Sequence, residues 1–306
     1  MITLAMLPPA QAAVIDRAAT TPLANVGAPG ISVTVANDGT IVYAKGFGVR
    51  DVASGAPFDP ATIFPLGSIT RQFTAAAIEL LRNSGKLSLD ARVSTYVPKA
   101  PHAAEMSVRD LLRETSGLPE YLAGDITPIV TSATVTPQQL LDTVAAKPLR
   151  FAPGTRYEAS GTNYIVLGAI VEAVSGLSYA DFIHRYIALP LGLRTLGFGP
   201  PPGATDVAIG YGITQADTPV TAWTPQSTYA AGALDASAPD LVAWDAALFG
   251  YKLLPKAIVD EMTVPAPLAG GGKSDFAADR SSKRSRTTRS FGNTAARRAR
   301  TRAIAG

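Results

Sequence analysis

Phe64-Pro65-Leu66-Gly67-Ser68-Ile69-Thr70-Arg71-Gln72-Phe73-Thr74 decides the reading of the chain. A short β-leaning run, Thr62-Ile63-Phe64, meets a Pro-Leu-Gly break, after which the spacing predicts a helix from Ser68 to about Ser84. Ile69, Phe73, Ala76, Ala77, Leu80 and Leu81 fall on one apolar face, and Gly85 supplies a left-handed stop. A serine on the first turn of a buried helix has its hydroxyl beside unpaired N–H groups and the positive end of the dipole. Arg71, three residues on, shares its face. On local features alone the pair reads as an N-cap and a solvated charge. The alternative is a nucleophile held next to a cation.

Outward from that stretch, the totals narrow the possibilities. The 306 residues are 47% hydrophobic, enough for a substantial core in one large or two interleaved domains. There is no cysteine, which excludes disulfides, thiol nucleophiles and thiolate metal sites. With only His102 and His184, a histidine-rich metal centre is not expected. We expect no cofactor and no metal. The net charge of +3 is unevenly placed: ten basic and two acidic residues follow from Lys273, against 17 and 22 before it. The body is therefore slightly acidic. No run reaches the roughly 20 apolar residues of a membrane span. Ala10-Gln11-Ala12 resembles a signal cleavage site, yet the first basic residue is Arg17. Residues 1–12 thus read as a signal remnant or an extension, leaving a periplasmic or secreted and a cytoplasmic location both open.

Residues 11–25 read as a helix with Val14, Ile15 and Ala18 inward. Two strands, 31–36 and 41–44, flank Asn37-Asp38-Gly39, a hairpin signal. Four capping boxes are expected at Ser107…Asp110, Thr136…Gln139, Ser178…Asp181 and Ser237…Asp240. Gly117, Gly176 and Gly192 are placed as helix stops. Thr162 to Ser175 is apolar nearly all round and so deeply buried. Residues 198–229 form a Pro-, Gly- and Thr-rich excursion, followed by helices at 238–249 and 258–262. The domain is expected over 13–267, its sheet part at 13–67 and 230–267 and its helical part at 68–229. Residues 268–306 carry dense like charge and no apolar period, the pattern of a disordered tail.

Several strings, in consistent order, resemble the serine β-lactamase and penicillin-binding superfamily. They are the opening stretch, Gly85-Lys86-Leu87-Ser88-Leu89-Asp90, Ser107-Val108-Arg109-Asp110-Leu111-Leu112, Thr115-Ser116-Gly117-Leu118-Pro119, Pro153-Gly154-Thr155-Arg156-Tyr157, Asn163-Tyr164-Ile165-Val166-Leu167-Gly168, Pro190-Leu191-Gly192-Leu193 and Ala231-Gly232-Ala233-Leu234. The likeness is to its class C β-lactamase-like branch, with related carboxylesterases and D-alanyl-D-alanine peptidases, over roughly residues 12–265. It implies an α+β, β-lactamase/transpeptidase-like fold: an antiparallel sheet flanked by helices, plus a helical domain, here with the C-terminal strands missing or replaced. It also implies an acyl-enzyme at Ser68.

At its other catalytic motifs the chain departs from the family's pattern. The lysine of S-x-x-K is Arg71, which stays protonated and cannot act as a base. The Tyr and Asn of Y-x-N fall on Ala159 and Gly161. The late K-T-G or H-x-G strand has no match, and Gly270-Gly271-Gly272-Lys273-Ser274 has no strand around it. Tyr157, two positions from the lost tyrosine, is the candidate substitute, with Glu158 and Tyr121 behind it; each also reads as a structural residue. His184 reads as a helix-surface residue and His102 as a loop residue.

The candidate catalytic set is therefore Ser68, Arg71 and Tyr157. The expected partner is a small ester, amide, β-lactam or D-amino-acid peptide, with no specific nucleic acid, no membrane span and the oligomeric state open. The competing reading is a non-catalytic binding protein using the same pocket. The Ala-, Arg- and Ser-rich tail also reads as the product of a shifted reading frame.

Overall fold

The hairpin forms where Asn37-Asp38-Gly39 places it. The computed structural model describes residues 7–123, 129, 131–212, 215–219, 223–265 and 267–274; the tail from 275 and the first six residues lie outside these. Strands β1 (Gly30–Asn37) and β2 (Thr40–Asp51) are antiparallel, with Ile31 opposite Phe47 and Asn37 opposite Thr40. Asp38 and Gly39 take φ of 47° and 77°, the two left-handed positions that a tight turn between right-twisted strands requires. β3 (Ala56–Pro57) pairs with β2 on its other side. Among the described residues β1 is thus the edge of this sheet.

Helix α1 (Pro9–Val26) lies on the hairpin, rotated from the expected face. Val14 and Ala18 point outward; Ala12, Ile15, Asp16 and Ala19 are the covered side. The cause is electrostatic. Asp16 accepts from the Tyr43 hydroxyl and pairs with Lys45 at 2.9 Å, both on β2, which turns the polar residue inward.

The rest of the β structure is short. β4 (Phe64–Pro65), β8 (Leu234–Ala236) and β5 (Gly197–Phe198) form a second antiparallel sheet in the order β4-β8-β5. β6 (Tyr211–Gly212) and β7 (Gln215–Pro219) pair within the 198–229 excursion.

Helix α2 (Thr70–Asn83) follows one 3-10 turn, Gly67–Ile69. It is buried on nearly every side, Phe73, Ala75, Ala76, Ala77 and Ile78 being fully so, and it packs on the equally buried α5 (Gly161–Ser175). Helices α3 (Val108–Leu112) and α4 (Pro137–Asp142) each begin with a complete capping box. α6 (Tyr179–Ile183) is capped by Ser178. α7 (Leu189–Leu191) and α8 (Pro225–Gly232) lead to α9 (Ala238–Phe249) and α10 (Lys256–Met262). Trp244 of α9 stacks on Phe73 with ring centroids 4.2 Å apart.

Two punctuation signals were misread. Ser237 does not cap α9 with its side chain, because Thr195 draws both partners away: its Oγ1 donates to Asp240 at 2.6 Å and pairs with Ser237 Oγ at 3.0 Å. Gly176 and Gly192 end helices in the left-handed region, but Gly117 ends none. It has φ 80° and lies against the Phe151 carbonyl, 2.2 Å from where a Cβ would stand.

The tightest approach in the hairpin sheet is at Gly46, where a Cβ would meet the Phe58 carbonyl oxygen at 1.8 Å. Backbone cannot yield there as a flexible side chain does. Gly46→Ala is expected to destabilise the protein by about 2 kcal/mol or more, read as a lower urea midpoint with the m-value unchanged.

Candidate active site

The turn that carries Ser68 is held from both sides by backbone. The Leu66 N–H donates to the Leu234 carbonyl at 2.8 Å, and the Leu234 N–H returns to Thr70 Oγ1 at 3.1 Å. Together with the pairing of Pro65 opposite Asp235, this clamps the 3-10 turn onto β8. Ser68 itself is exposed, and its hydroxyl makes no hydrogen bond among the described residues. It stands on the 3-10 turn that runs directly into α2.

Arg71 is not the solvated charge that its local context suggests. Its Nη1 donates to Glu114 Oε1 at 2.6 Å, with the Glu114 side chain fully buried, and its guanidinium lies 5.0 Å from the Tyr164 ring centroid. The second oxygen of Glu114 accepts the Ser160 backbone N–H, and the Glu114 carbonyl accepts that of Glu158 at 3.1 Å. Glu114 therefore joins α2 to the start of α5, and it does so from a left-handed backbone, φ 55°. Burial pushes the Glu114 carboxyl up, against the pull of Arg71 and the Ser160 N–H. For Arg71, burial opposes the charge, but Glu114, Tyr164 and Glu120 outweigh it and raise the pKa further. Arg71 is a fixed cation, with no proton to lose at any ordinary pH.

Glu120 completes the arrangement. Its Oε2 accepts the Gly161 N–H at 2.8 Å, at the first turn of α5, where the helix dipole favours a carboxylate. A Cβ on Gly161 would lie 2.8 Å from Tyr121 Cε1 and 3.0 Å from Glu120 Oε1. A side chain at 161 would have to displace both. Tyr121 is buried and donates to the Ser227 carbonyl at 3.0 Å, as a structural residue does. Tyr157 sits half-buried on the segment between the Thr155 turn and α5, with Glu158 beside it held by Arg150 and Arg156. His184 is exposed on its helical turn, and the His102 ring bonds Glu105 and the Lys147 carbonyl in a loop. Neither joins the Ser68 turn.

The Gly270–Ser274 string forms a turn of its own. Lys273 bridges Pro267, and the Ala269 N–H donates to the Gly154 carbonyl at 2.9 Å. Among the described residues it adds no strand to the β1–β2–β3 sheet.

An exposed serine on a clamped turn, leading into a buried helix and three residues before a half-buried, paired cation, can be set against known proteins. The Beta-lactamase family profile matches residues 15–296. The chain belongs to that family. PbpX of Bacillus subtilis (strain 168) is 31% identical over 264 residues, covering 84% of this chain and 64% of PbpX. The octameric penicillin-binding protein homologue from Pyrococcus abyssi superposes with a TM-score of 0.73 at 31% identity, over 83% of this chain and 60% of that one. The D-amino acid amidase from Ochrobactrum anthropi SV3, complexed with L-phenylalanine amide, gives 0.73 at 27%, over 84% and 75%. The chain spans less than two thirds of the length of PbpX.

Membership in the Beta-lactamase family makes the chain a serine hydrolase homologue of β-lactamase and penicillin-binding type. Within that family the sequence reading missed Glu114 and Glu120. Both flank strings that carried the resemblance, and no local pattern marks a carboxylate as buried. The one available signal was an arginine at position 71 on an otherwise apolar helix, which would need a counter-ion wherever packing withdrew it from water.

Removing one half of a buried pair strands the other charge, whereas removing both does not. Glu114→Ala is expected to cost about 3–5 kcal/mol, while Arg71→Met with Glu114→Leu recovers most of it, read by chemical denaturation. A second prediction concerns Asp235, behind the Ser68 turn, whose burial raises its pKa from 3.8 to about 6. Its stabilising protonated form is complete below the unfolded value and is lost as pH rises through 6. Asp235→Asn should therefore flatten the fall in stability between pH 4 and 7, gaining about 1–3 kcal/mol at pH 7, checked by melting temperature across that range.

Proposed function

We propose that this chain acts through an acyl-enzyme at Ser68 on small esters, amides, β-lactams or D-amino-acid peptides, with turnover weakened relative to a site holding a lysine base. The observation that supports it most is an exposed Ser68 at the entry of α2, with a guanidinium three residues on that Glu114 holds in place. The Oγ of Ser68 attacks the carbonyl carbon, the carbonyl π pair moves onto oxygen, and collapse expels the leaving group. The Oγ proton passes to water or to the departing group. Arg71 favours the developing negative charge without exchanging a proton. Tyr157 is the nearest sequence substitute for the missing tyrosine and takes the role of hydrogen-bond donor to the leaving group in this reading. Without a base, substrates with good leaving groups are favoured, since they demand least of acid and base.

The competing reading is a binding protein that uses the same pocket without turnover. It is favoured by one specific feature: Arg71 and Glu114 satisfy each other, so neither of them is poised to accept the Ser68 proton.

A fluorophosphonate or reactive β-lactam, followed by intact mass, separates the two. One adduct per chain, absent in Ser68→Ala, is expected, with p-nitrophenyl esters hydrolysed faster than the matching anilides. No adduct under forcing conditions would leave the binding reading in place of the enzyme.

A further inference from the structure

The hairpin sheet ends on a bare strand. Among the described residues, none of the eight in β1 makes a backbone hydrogen bond outside the hairpin. A row of free N–H and C=O groups is usually guarded by a lysine, a proline or a bulge. Gly30-Ile31-Ser32-Val33-Thr34-Val35-Ala36 has no charge and no proline. The one register shift in the hairpin makes Val42 the extra residue on β2 and leaves β1 regular. Helices α1 and α9 both pack on the strand, so its outer edge is the side left open.

Two hydroxyls on this strand have no partner either. Ser32 Oγ and Thr34 Oγ1 are buried and make no hydrogen bond. By the alternation of the strand they share one face. Ile31, Val33 and Val35 are on the other, with Tyr43 and Lys45 opposite Val35 and Val33. That is the face of α1, because both of those residues bond Asp16. Buried polar groups without partners are uncommon and call for an explanation.

The chain's own tail is a poor match for the edge. Its basic residues after Lys273 would meet a strand with no carboxylate. The last described residues also run beside the helical part, where the Gly154 carbonyl accepts the Ala269 N–H at 2.9 Å.

A second copy of β1 matches it better, because Ile-Ser-Val-Thr-Val reads nearly the same in both directions about Val33. A two-fold axis through Val33, normal to the sheet, runs β1 antiparallel to its own copy and keeps like faces together. Val33 then meets Val33 of the second copy, Ile31 meets its Val35, and Ser32 meets its Thr34. β-branched residues pair on one face and hydroxyls on the other, both of them stabilising cross-strand pairs. A χ1 rotation turns each hydroxyl toward its counterpart, and no like charges are brought together. We propose that β1 is the contact of a symmetric dimer in which the two hairpins join into one continuous antiparallel sheet.

The full chain has no cysteine, which makes the register testable by cross-linking. Residues directly opposed in antiparallel strands have Cα atoms about 4.5–5.5 Å apart, within disulfide reach. Val33→Cys, on the axis, is expected to give a covalent dimer under mild oxidation. Ile31→Cys is not, because the two copies of that position stand four residues apart along the joined strands, about 13 Å. Val14→Cys, exposed on α1, controls for chance collision. Sedimentation of the unaltered chain is expected to show a monomer–dimer equilibrium with a Kd on the order of micromolar, as suits a small contact. Thr34→Val keeps the shape and should weaken it about fivefold, through loss of two symmetric hydroxyl pairs. A monomer at every concentration, the result if the chain's own tail covers the edge, would overturn the assignment. So would a dimer that cross-links no faster through Val33→Cys than through Val14→Cys, or one that Thr34→Val does not weaken. The sedimentation of the unaltered chain stands even if a substituted chain fails to fold.

Discussion

The Arg71–Glu114 ion pair is the constraint on which the arrangement around Ser68 depends. A guanidinium on the first turn of a buried helix has to be either exposed or paired. This fold half-buries it against a fully buried carboxylate, and that carboxylate must itself be satisfied. Glu114 meets both needs by taking a left-handed backbone at the end of α3 and accepting the Ser160 N–H with its second oxygen. The start of α5 is thereby fixed relative to α2. The geometry of the site follows from one charge needing a partner.

That pair also sets what the site can do. A lysine in a low-dielectric setting can be made to give up its proton; an arginine locked to a carboxylate cannot. In the acyl-enzyme mechanism proposed above, Arg71 would supply electrostatic stabilisation and no proton transfer. Glu120 and Tyr121 crowd the place where a side chain at 161 would stand, so the glycine there is part of a packed arrangement and not merely a gap. These features are mutually consistent: two carboxylates sit at the positive end of α5, and one of them is neutralised by Arg71.

Several readings of the sequence held because they rest on short-range physics. The Asp38-Gly39 turn, the boxes at Ser107 and Thr136 and the all-round burial of α5 are decided within a few residues of themselves. The failures share one cause, a distant partner. Thr195 takes Asp240 and Ser237 out of a capping box, and Tyr43 and Lys45 rotate α1 through Asp16. Glu114 was passed over because nothing near it in the chain says that Arg71, 43 positions away, will be beneath it.

By itself the sequence determined the family, the candidate serine at position 68, and the absence of cysteine, because each depends on residue identity and local order. Only the tertiary structure decided that Ser68 is exposed and that Arg71 is half-buried and paired. It alone supplied the counter-ion. The reason is that burial and charge pairing belong to the space between elements. Residue types limit what can meet there, and only the packing of α2, α3 and α5 says which of them do.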